Sequence, residues 1–350
     1  MKRTLSLFLA LLLFLGSSLL LSGCNSSRLE RFSVQRFELF DTVTTVTGYA
    51  EDRAAFDAVA SGILAELEEY HRLYDIYHTY EGIQNLATVN SLVDGEHPVV
   101  KVDRRILELL QTAKILESEM QGKMNIAMGS VLSLWHTCRT EAEESPLAAR
   151  IPTAEALKTA GEHTSIHALV INEAAGSVHL TDPQATLDVG AIAKGYAVEC
   201  IAARLEAEGV TGYLLNVGGN VRAVGGKPDG EPWTAGVQHP DDEEEFLARV
   251  RMQTGALVTS GSYLRYYTVD GVSYHHIIDP ATGMPSAYFK SVSVLAPSSA
   301  LADALSTALF CMSYEEGVEL LRAYPGVGVL WVSVTGEVRM NDAFSASCKK

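Results

Sequence analysis

The sequence is short of basic residues. It has 27 lysines and arginines against 43 aspartates and glutamates, which gives a formal net charge of −16 over 350 residues. A surplus of negative charge repels a phosphate backbone, so this imbalance argues against nucleic acid as a partner. A negatively charged ligand such as a nucleotide would have to be held by local backbone amides, a lysine or a bound cation.

Several familiar catalytic and cofactor motifs are absent. The sequence has no GxxxxGK[ST] phosphate loop, no GxSxG nucleophile elbow, no HExxH motif and no GxGxxG fingerprint with an acidic follower. Its later cysteines form no CxxC pair, so neither a zinc knuckle nor a redox motif is indicated. Whether any of them form a disulfide stays open; they are Cys138, Cys200, Cys311 and Cys348.

Only the N-terminus carries a long apolar run. The chain begins MKRTLSLFLALLLFLGSSLLLSGCNSS, with two basic residues before an apolar stretch and small residues before Cys24. This is the pattern of a secretory signal, and the segment ending at Cys24 matches a bacterial lipobox. We expect residues 1–23 to be removed and a lipidated Cys24 to anchor the protein on the extracytoplasmic face of the cell membrane. The alternative is an ordinary transmembrane anchor; no later stretch offers the ~18 consecutive apolar residues that spanning needs.

The remainder reads as one unit, because no Pro/Ser-rich linker divides it. We expect a short tether at residues 24–36 and one compact domain at 37–345. Apolar spacing predicts helices over about 52–74, 103–120, 192–208 and 302–324, with Ile115 on the structural face of the second. Short strands with Gly turns such as Asp270-Gly271 predict hairpins, and a last hairpin closes the chain. The predicted fold class is α+β, with largely antiparallel sheets and several flanking helices.

The stretch YHHIIDPATGMPS, residues 274–286, combines two histidines with an aspartate at a turn. Adjacent strand residues point to opposite faces, so His275 and His276 do not easily serve one site, which argues against a two-histidine metal centre. Asp279 follows where Asp-Pro breaks the strand, and its carboxylate can turn back towards an imidazole or simply cap the turn. From these residues alone, both interpretations stay open.

A strand-to-helix turn lies in TLDVGAIAKGYAVECIAARL, residues 186–205. The strand ends at Asp188, Gly190 permits a close approach, and Lys194 falls in the first turn of the helix. Free amides at a helix N-terminus plus a lysine are a plausible phosphate site. An ordinary turn with an exposed lysine is the alternative.

A carboxylate and a hydroxyl share a helix face in ALADALSTALFCM, residues 300–312. Asp303 and Thr307 are four residues apart and therefore about one turn from each other. Such a pair suits magnesium, which accepts few protein ligands. The alternative is an aspartate that favours the helix dipole and a threonine that faces the core.

A glycine-rich segment, LNVGGNVRAVGGKPDGEPWTAGVQHP, covers residues 215–240. Its glycines allow backbone to approach a ligand closely or make hairpin bends. The pattern alone does not distinguish a ligand-binding backbone from a set of hairpin bends.

Six segments occur in an order that resembles the ApbE family, the FAD:protein FMN transferases, many of which are lipoproteins. They are LDVGAIAKGYA, NVGGNV, GKPDGEPWTAGVQHP, VTSGSYLRYY, HHIIDPATG and DALSTAL. The resemblance extends from about Phe37 to the C-terminal hairpin. It implies an ApbE-like, T-fold-related fold and a magnesium-dependent enzyme that cleaves FAD at its pyrophosphate, attaches FMN to a Ser or Thr hydroxyl of an acceptor protein and releases AMP.

The resemblance also implies roles for individual residues. Asp188 and Lys194 would contact FAD, and the Ala191 carbonyl would join a magnesium site completed by Asp303, Thr307 and Ser306. The flavin-contacting tyrosine falls on Tyr77 or, if the loop is aligned without a gap, on Tyr80. Other implied flavin contacts are Phe40, Ala127, Met128, Gly129, His276 and Ile277. In KMNIAMGSVLSLW, Asn125 stands where Asp is common and Ala127 where Thr is common.

A hydroxyl nucleophile must lose its proton, and a histidine is a natural base. We therefore predict His276 as the base and Asp279 as its orienting partner, with His275 facing the other way. Two other functions remain: an FAD pyrophosphatase with water as acceptor, and a lipid-anchored flavin- or solute-binding protein without catalysis. The sequence does not identify the acceptor protein or the oligomeric state.

Overall fold

The computed structural model describes residues 29–348, and its centre is an eight-stranded sheet. Every neighbouring pair in this sheet is antiparallel. In spatial order the strands are β1 (Glu30–Arg36), β2 (Thr44–Ala50), β6 (Tyr213–Val217), β7 (Asn220–Val224), β10 (Gly255–Gly261), β13 (Phe289–Ala296), β14 (Gly328–Ser333) and β15 (Val338–Met340).

Three smaller antiparallel sheets accompany the central sheet within residues 29–348. They consist of β3 (Val100–Lys101), β5 (Ser177–Leu180) and β4 (Leu169–Asn172); β8 (Trp233–His239) and β9 (Asp242–Met252); and β11 (Tyr266–Val269) and β12 (Val272–His275). The β11–β12 turn is the predicted Asp270-Gly271 pair, and both residues have positive φ, at 49° and 82°. Two positive φ values are typical of the tight turn that matches the strand twist.

Nine α-helices pack around the sheets in the part of the chain that the structure describes. They are α1 (Arg53–Tyr74), α2 (Leu86–Asn90), α3 (Arg104–Glu119), α4 (Gly129–Glu144), α5 (Ala154–Gly161), α6 (Ala193–Ala207), α7 (Ser299–Phe310), α8 (Tyr314–Leu320) and α9 (Asp342–Ser347). With the antiparallel sheets, they confirm the predicted α+β class.

Helix N-termini follow the capping residues in the sequence. Asp52 caps α1 by accepting from the Ala55 amide, and Asp103 caps α3 by accepting from the Arg105 amide. Side-chain caps of this kind satisfy amides that have no partner within the helix. The prediction for Ile115 was wrong, because its side chain is 59% exposed while Ile106 and Leu110 are buried.

The helix predicted over 302–324 is two helices, α7 and α8. Ser313 separates them: its side chain accepts from the Glu316 amide, and the Glu316 side chain accepts in return from the Ser313 amide. This reciprocal capping box starts a new helix. The sequence analysis also missed α2, α4, α5 and α9, the last of which follows the hairpin that was expected to close the chain.

Both faces of the central sheet are buried. Consecutive strand residues point to opposite faces, and accordingly Val258 lies in the large core beneath α1, α6 and α7 while Leu257 lies in a second core. The β8–β9 hairpin and α9 contribute Trp233, Val237 and Phe344 to that second core.

The predicted tether at residues 24–36 differs from the structure. Glu30–Arg36 form β1, an edge strand whose whole length pairs with β2. The residues of β1 pair with those of β2 in one continuous register, although nothing in their sequence marks them as a strand. The folded domain therefore begins by Glu30 rather than at residue 37. The predicted signal segment and Cys24 lie outside the described residues. Within residues 29–348 no helix is long and apolar enough to cross a membrane, and the four cysteines there are free thiols.

Candidate active site

One cleft of about 770 Å³ brings most of the predicted site residues together. Its lining includes Phe40, Tyr77, Met128, Asp188, Ala191, Lys194, His276, Ile277, Asp303 and Thr307. Four predicted residues are not in the lining: Ala127, Gly129, Asp279 and Ser306. We call Gly190, Ala191, Ala193, Lys194, Asp303 and Thr307 the helical wall, and Phe40, Asp41, Thr42, Leu264, Arg265, His276 and Ile277 the loop wall.

The helical wall begins with the turn before α6. Asp188 accepts from the Gly190 amide at 2.8 Å, which closes the turn, and the Lys194 ammonium donates to the Gly190 carbonyl at 3.4 Å. Burial raises the pKa of Asp188, against the Gly190 hydrogen bond and the charges of His136, Lys194 and Arg265. The turn therefore places a carboxyl group and a lysine at the cleft.

Helix α7 packs directly on the first turn of α6. The Gly195 amide donates to Asp303 Oδ2 at 2.8 Å, so this amide is not free for a phosphate as the sequence suggested. A Cβ at Gly195 would lie 2.5 Å from both Asp303 Cβ and the Ser299 carbonyl oxygen. Only glycine permits this approach, which fixes Asp303 beside Lys194.

Asp303 is a buried carboxyl group at the cleft, with 5% exposure. Burial raises its pKa, which the charge of Lys194 and the Gly195 hydrogen bond oppose. Thr307 lines the cleft one turn further along α7, with its hydroxyl 3.5 Å from the Ser260 hydroxyl. The predicted spacing of Asp303 and Thr307 therefore places both at one cavity.

Ser306 differs from the other predicted metal ligands. Its hydroxyl donates to the Asp303 carbonyl at 2.9 Å and lies 2.8 Å from the Ser260 hydroxyl. The side chain is fully buried and belongs to the contact between α7 and β10. Within residues 29–348 no group of three or more His, Cys, Asp or Glu side chains is placed to bind a metal.

The loop wall contains a strained corner. Phe40 and Asp41 both adopt left-handed backbone conformations, with φ of 54° and 52°, and such conformations cost non-glycine residues of order 1–2 kcal/mol each. The Phe40 amide donates to His71 Nδ1 at 3.2 Å, and the Arg265 guanidinium donates to the Asp41 carbonyl at 3.1 Å. These contacts hold the corner at the cleft.

His276 reaches the cleft and His275 faces away, as predicted. His276 Nδ1 lies 3.2 Å from the Arg265 carbonyl, and its amide donates to the same carbonyl. A carbonyl only accepts, so Nδ1 carries the proton and Nε2 keeps its lone pair. His275 has both ring nitrogens occupied, by the Ser286 carbonyl at 2.9 Å and the Ile277 amide at 3.2 Å.

The His276 ring is neutral in the free protein. Burial, reinforced by the charge of Arg265, lowers its pKa to about 3, although the hydrogen bond to the Arg265 carbonyl acts in the opposite direction. A neutral imidazole with an available Nε2 is able to accept a proton.

Asp279 is not the partner of His276, and this prediction needs correction. Its carboxylate forms an ion pair with the Lys123 ammonium at 3.0 Å and accepts from the Ala281 amide. The carboxylate therefore caps the turn after the strand. The carbonyl of Arg265 orients His276 instead.

Both candidate tyrosines line the cleft. The Tyr77 ring stacks on His136 at 5.0 Å, and the residue is 55% exposed. The Tyr80 hydroxyl donates to Asp75 at 2.7 Å and is thereby committed to its own loop. Tyr77 thus presents the freer aromatic surface.

The segment before α4 contributes to the cleft through Asn125 and Met128. The Asn125 side chain accepts from the Ala127 amide at 2.8 Å and donates to the Thr164 carbonyl at 2.9 Å. Ala127 is buried, and Gly129 packs so closely on Thr186 that a Cβ would lie 2.5 Å from its carbonyl oxygen. These two residues support the cleft from behind its surface.

A sequence profile of the ApbE family matches residues 40–331. The chain belongs to the ApbE family. An FAD:protein FMN transferase of Treponema pallidum is 36% identical over 269 residues, which is 73% of this chain and 72% of that protein. A Klebsiella pneumoniae protein of the same description is 29% identical and covers 92% of both chains. The predicted enzyme class is confirmed by these curated ApbE relatives.

Solved ApbE structures share the fold. The ApbE protein of Thermotoga maritima matches 92% of this chain and all of its own, with a TM-score of 0.80 and 27% identity. The flavin transferase ApbE from Vibrio cholerae matches 91% of this chain and 99% of its own, with a TM-score of 0.76 and 26% identity. The predicted ApbE-like fold is therefore confirmed.

The sequence reading missed several charged or ring-bearing residues in the cleft of this ApbE protein: Lys123, His136, Arg139 and Arg265. Arg265 lies in the quoted segment VTSGSYLRYY, yet nothing local distinguishes it from a surface arginine. Its contacts are to Asp41 and His276, and the first is 224 residues away.

Proposed function

We propose that this protein transfers FMN from FAD to a Ser or Thr hydroxyl of an acceptor protein in a magnesium-dependent reaction, forming a phosphoester and releasing AMP. The observation that carries the proposal is the meeting, in one cleft, of a neutral histidine, a lysine that has no ion pair within residues 29–348, and a buried carboxyl group with a neighbouring hydroxyl. Membership of the ApbE family and the names of its curated relatives support the same reaction.

The helical wall fits a magnesium ion. Asp303 is buried and lines the same cleft as Thr307 and Ala191, and among the described residues its carboxylate has no ion pair. Burial raises the pKa of Asp303 and so disfavours its anion, which a bound cation would stabilise. Magnesium takes few protein ligands and completes its shell with phosphate oxygens and water. When bound, it would neutralise the charge of the diphosphate.

Lys194 would bind and orient the diphosphate beside Asp303. Among residues 29–348 its ammonium contacts a backbone carbonyl and no carboxylate, so it is available to an anion. Such positioning and charge neutralisation are the main demands of phosphoryl transfer. A local cation also overcomes the unfavourable field of an acidic chain.

His276 would take the proton of the acceptor hydroxyl. The hydroxyl oxygen forms a bond to the phosphorus of FMN, the bond between that phosphorus and the bridging oxygen breaks, and AMP leaves with the electron pair. The proton moves to His276 Nε2, the nitrogen that the Arg265 carbonyl leaves free. A pKa of about 3 makes a weak base; the negative diphosphate would raise it, because an opposite charge favours the imidazolium.

The reaction is tested by its products. The protein is incubated with FAD and magnesium, with and without an extracytoplasmic acceptor domain that carries a Ser/Thr flavinylation motif, and with the same domain after Thr→Ala replacement. Transfer predicts one FMN on the intact acceptor, an equal amount of AMP and no modification of the replaced domain. Free FMN plus AMP would instead indicate a pyrophosphatase, and unchanged FAD would indicate binding alone.

We also propose that Cys24 is lipidated and holds the enzyme on the extracytoplasmic face of the bacterial cell membrane, where its acceptors would lie. The support is the lipobox pattern and the start of the folded domain only six residues later, at Glu30. We predict that Cys24→Ser releases or mislocalises the enzyme without changing its melting temperature. Fractionation with salt washing checks this; a processed Cys24→Ser protein that stays on the membrane would contradict the anchor.

A further inference from the structure

Four cationic side chains line the cleft, and they differ in what neutralises them. Lys123 pairs with Asp279 at 3.0 Å, and Arg139 lies 3.7 Å from Glu143. In residues 29–348, Lys194 and Arg265 have no carboxylate within 4 Å and contact only carbonyl oxygens, of Gly190 and Asp41. Carbonyls leave the positive charge unneutralised, so two of the four cations remain available to an anionic ligand.

The two available cations surround the same space. Lys194 belongs to the helical wall and Arg265 to the loop wall, and both act electrostatically on His276 and on Asp188. The ammonium of Lys194 is a point charge, whereas a guanidinium can donate two parallel hydrogen bonds to phosphate oxygens. Arg265 also supplies the carbonyl that orients His276.

From this geometry we infer that Arg265 is a second ligand of the diphosphate. Arg265 would bind the phosphate nearest His276, while Lys194 and the metal site at Asp303 would lie on the opposite side of the diphosphate. The inference rests on the proposed function, because it names FAD as the ligand. The contact of Arg265 with the Asp41 carbonyl would hold its guanidinium in place before FAD arrives. Such pre-organisation reduces the entropy lost on binding.

A purely structural role for Arg265 makes a different prediction. If its task were only to hold the Phe40–Asp41 corner, losing the guanidinium would disturb the flavin side of the cleft. Riboflavin, which has no phosphate, would then lose affinity as much as FAD does.

The test measures binding of FAD and of riboflavin by flavin fluorescence, without magnesium so that FAD stays intact. For Arg265→Gln we expect FAD affinity to fall about tenfold or more, as for the loss of a charged hydrogen bond, with riboflavin affinity unchanged. Arg265→Lys should restore part of the FAD affinity, because it keeps the charge but not the paired donors. Arg322→Gln is the matched control: this arginine lies outside the cleft lining and its charge is paired with Glu319 at 2.8 Å, so we expect a change within about twofold.

Equal losses for FAD and riboflavin in Arg265→Gln, or no loss for either, would overturn the inference while leaving the proposed function intact. If the wild-type protein bound no FAD, the proposed function and the inference would fail together. A circular dichroism spectrum and a thermal melt of each variant ensure that any loss is measured on folded protein.

Discussion

The two walls of the cleft are built in different ways. The helical wall consists of two local groups of residues, one at the first turn of α6 and one on a single face of α7, and Gly195 allows the two helices to touch. The loop wall is assembled from distant segments, with two strained residues, Phe40 and Asp41, held by His71 and Arg265. Under the proposed function, the helical wall would supply Lys194 and the magnesium ligands, and the loop wall would supply the proton acceptor and Arg265.

The largest expected effect distinguishes His276, in the loop wall, from its neighbour His275, which faces away from the cleft. We predict that His276→Ala lowers the rate of transfer by ~10²–10⁴-fold, the usual contribution of a general base, while FAD still binds. His275→Ala should have a much smaller effect on rate, because its ring contacts Ser286, Ile277 and Phe310 rather than the cleft. Single-turnover transfer, measured by the mass of the acceptor, checks both variants. Rates near wild type for both would show that neither histidine is the general base.

A second prediction tests the helical wall through Asp303→Asn, which keeps the size and removes the charge. We expect the magnesium concentration for half-maximal transfer to rise by about tenfold or more, since a charged ligand is lost. FAD binding should weaken only when magnesium is present. Magnesium titrations of activity check this, and an unshifted titration would contradict the metal assignment.

The same variant has a consequence for stability without magnesium. Burial raises the pKa of Asp303, so the folded protein binds this proton more tightly than the unfolded chain. Wild-type stability should therefore fall as pH rises from the usual carboxyl range through the raised pKa. Asp303→Asn should lack this part of the pH dependence in thermal melts. A helix residue that only favours the dipole would instead cost roughly 0.3–1 kcal/mol on replacement.

The smallest effect on rate is expected at Asp279. Because its carboxylate pairs with Lys123 and caps a turn, Asp279→Asn should destabilise the fold by about 1–3 kcal/mol, as for a buried group left unsatisfied. Transfer at saturating substrate and its pH profile should stay close to wild type. A loss of rate comparable to that of His276→Ala would restore the orienting role that the sequence suggested.

The contrast between the walls also explains what the sequence could predict. Asp303 and Thr307 follow helix periodicity, and Asp188 to Lys194 follow a local strand-to-helix pattern, so the sequence alone predicts that both groups line a site. Asp279 was misassigned because its partner, Lys123, is 156 residues away. Arg265 was missed because the residue that it contacts, Asp41, is 224 residues away in the sequence. Ile115 fits the helical pattern yet stays exposed. Periodicity predicts which residues share a helix face, but it does not predict whether another element packs against each of them.

The most direct test of how the walls cooperate is the titration of the His276 imidazole by NMR, with and without FAD and in the absence of magnesium. We predict that the ring in the free protein carries its proton on Nδ1 and stays neutral well below the ordinary histidine pKa of 6.5, with a pKa of about 3. Binding of FAD to the helical wall should raise this pKa. A ring that titrates near 6.5 without ligand, or one that FAD leaves unchanged, would contradict the account.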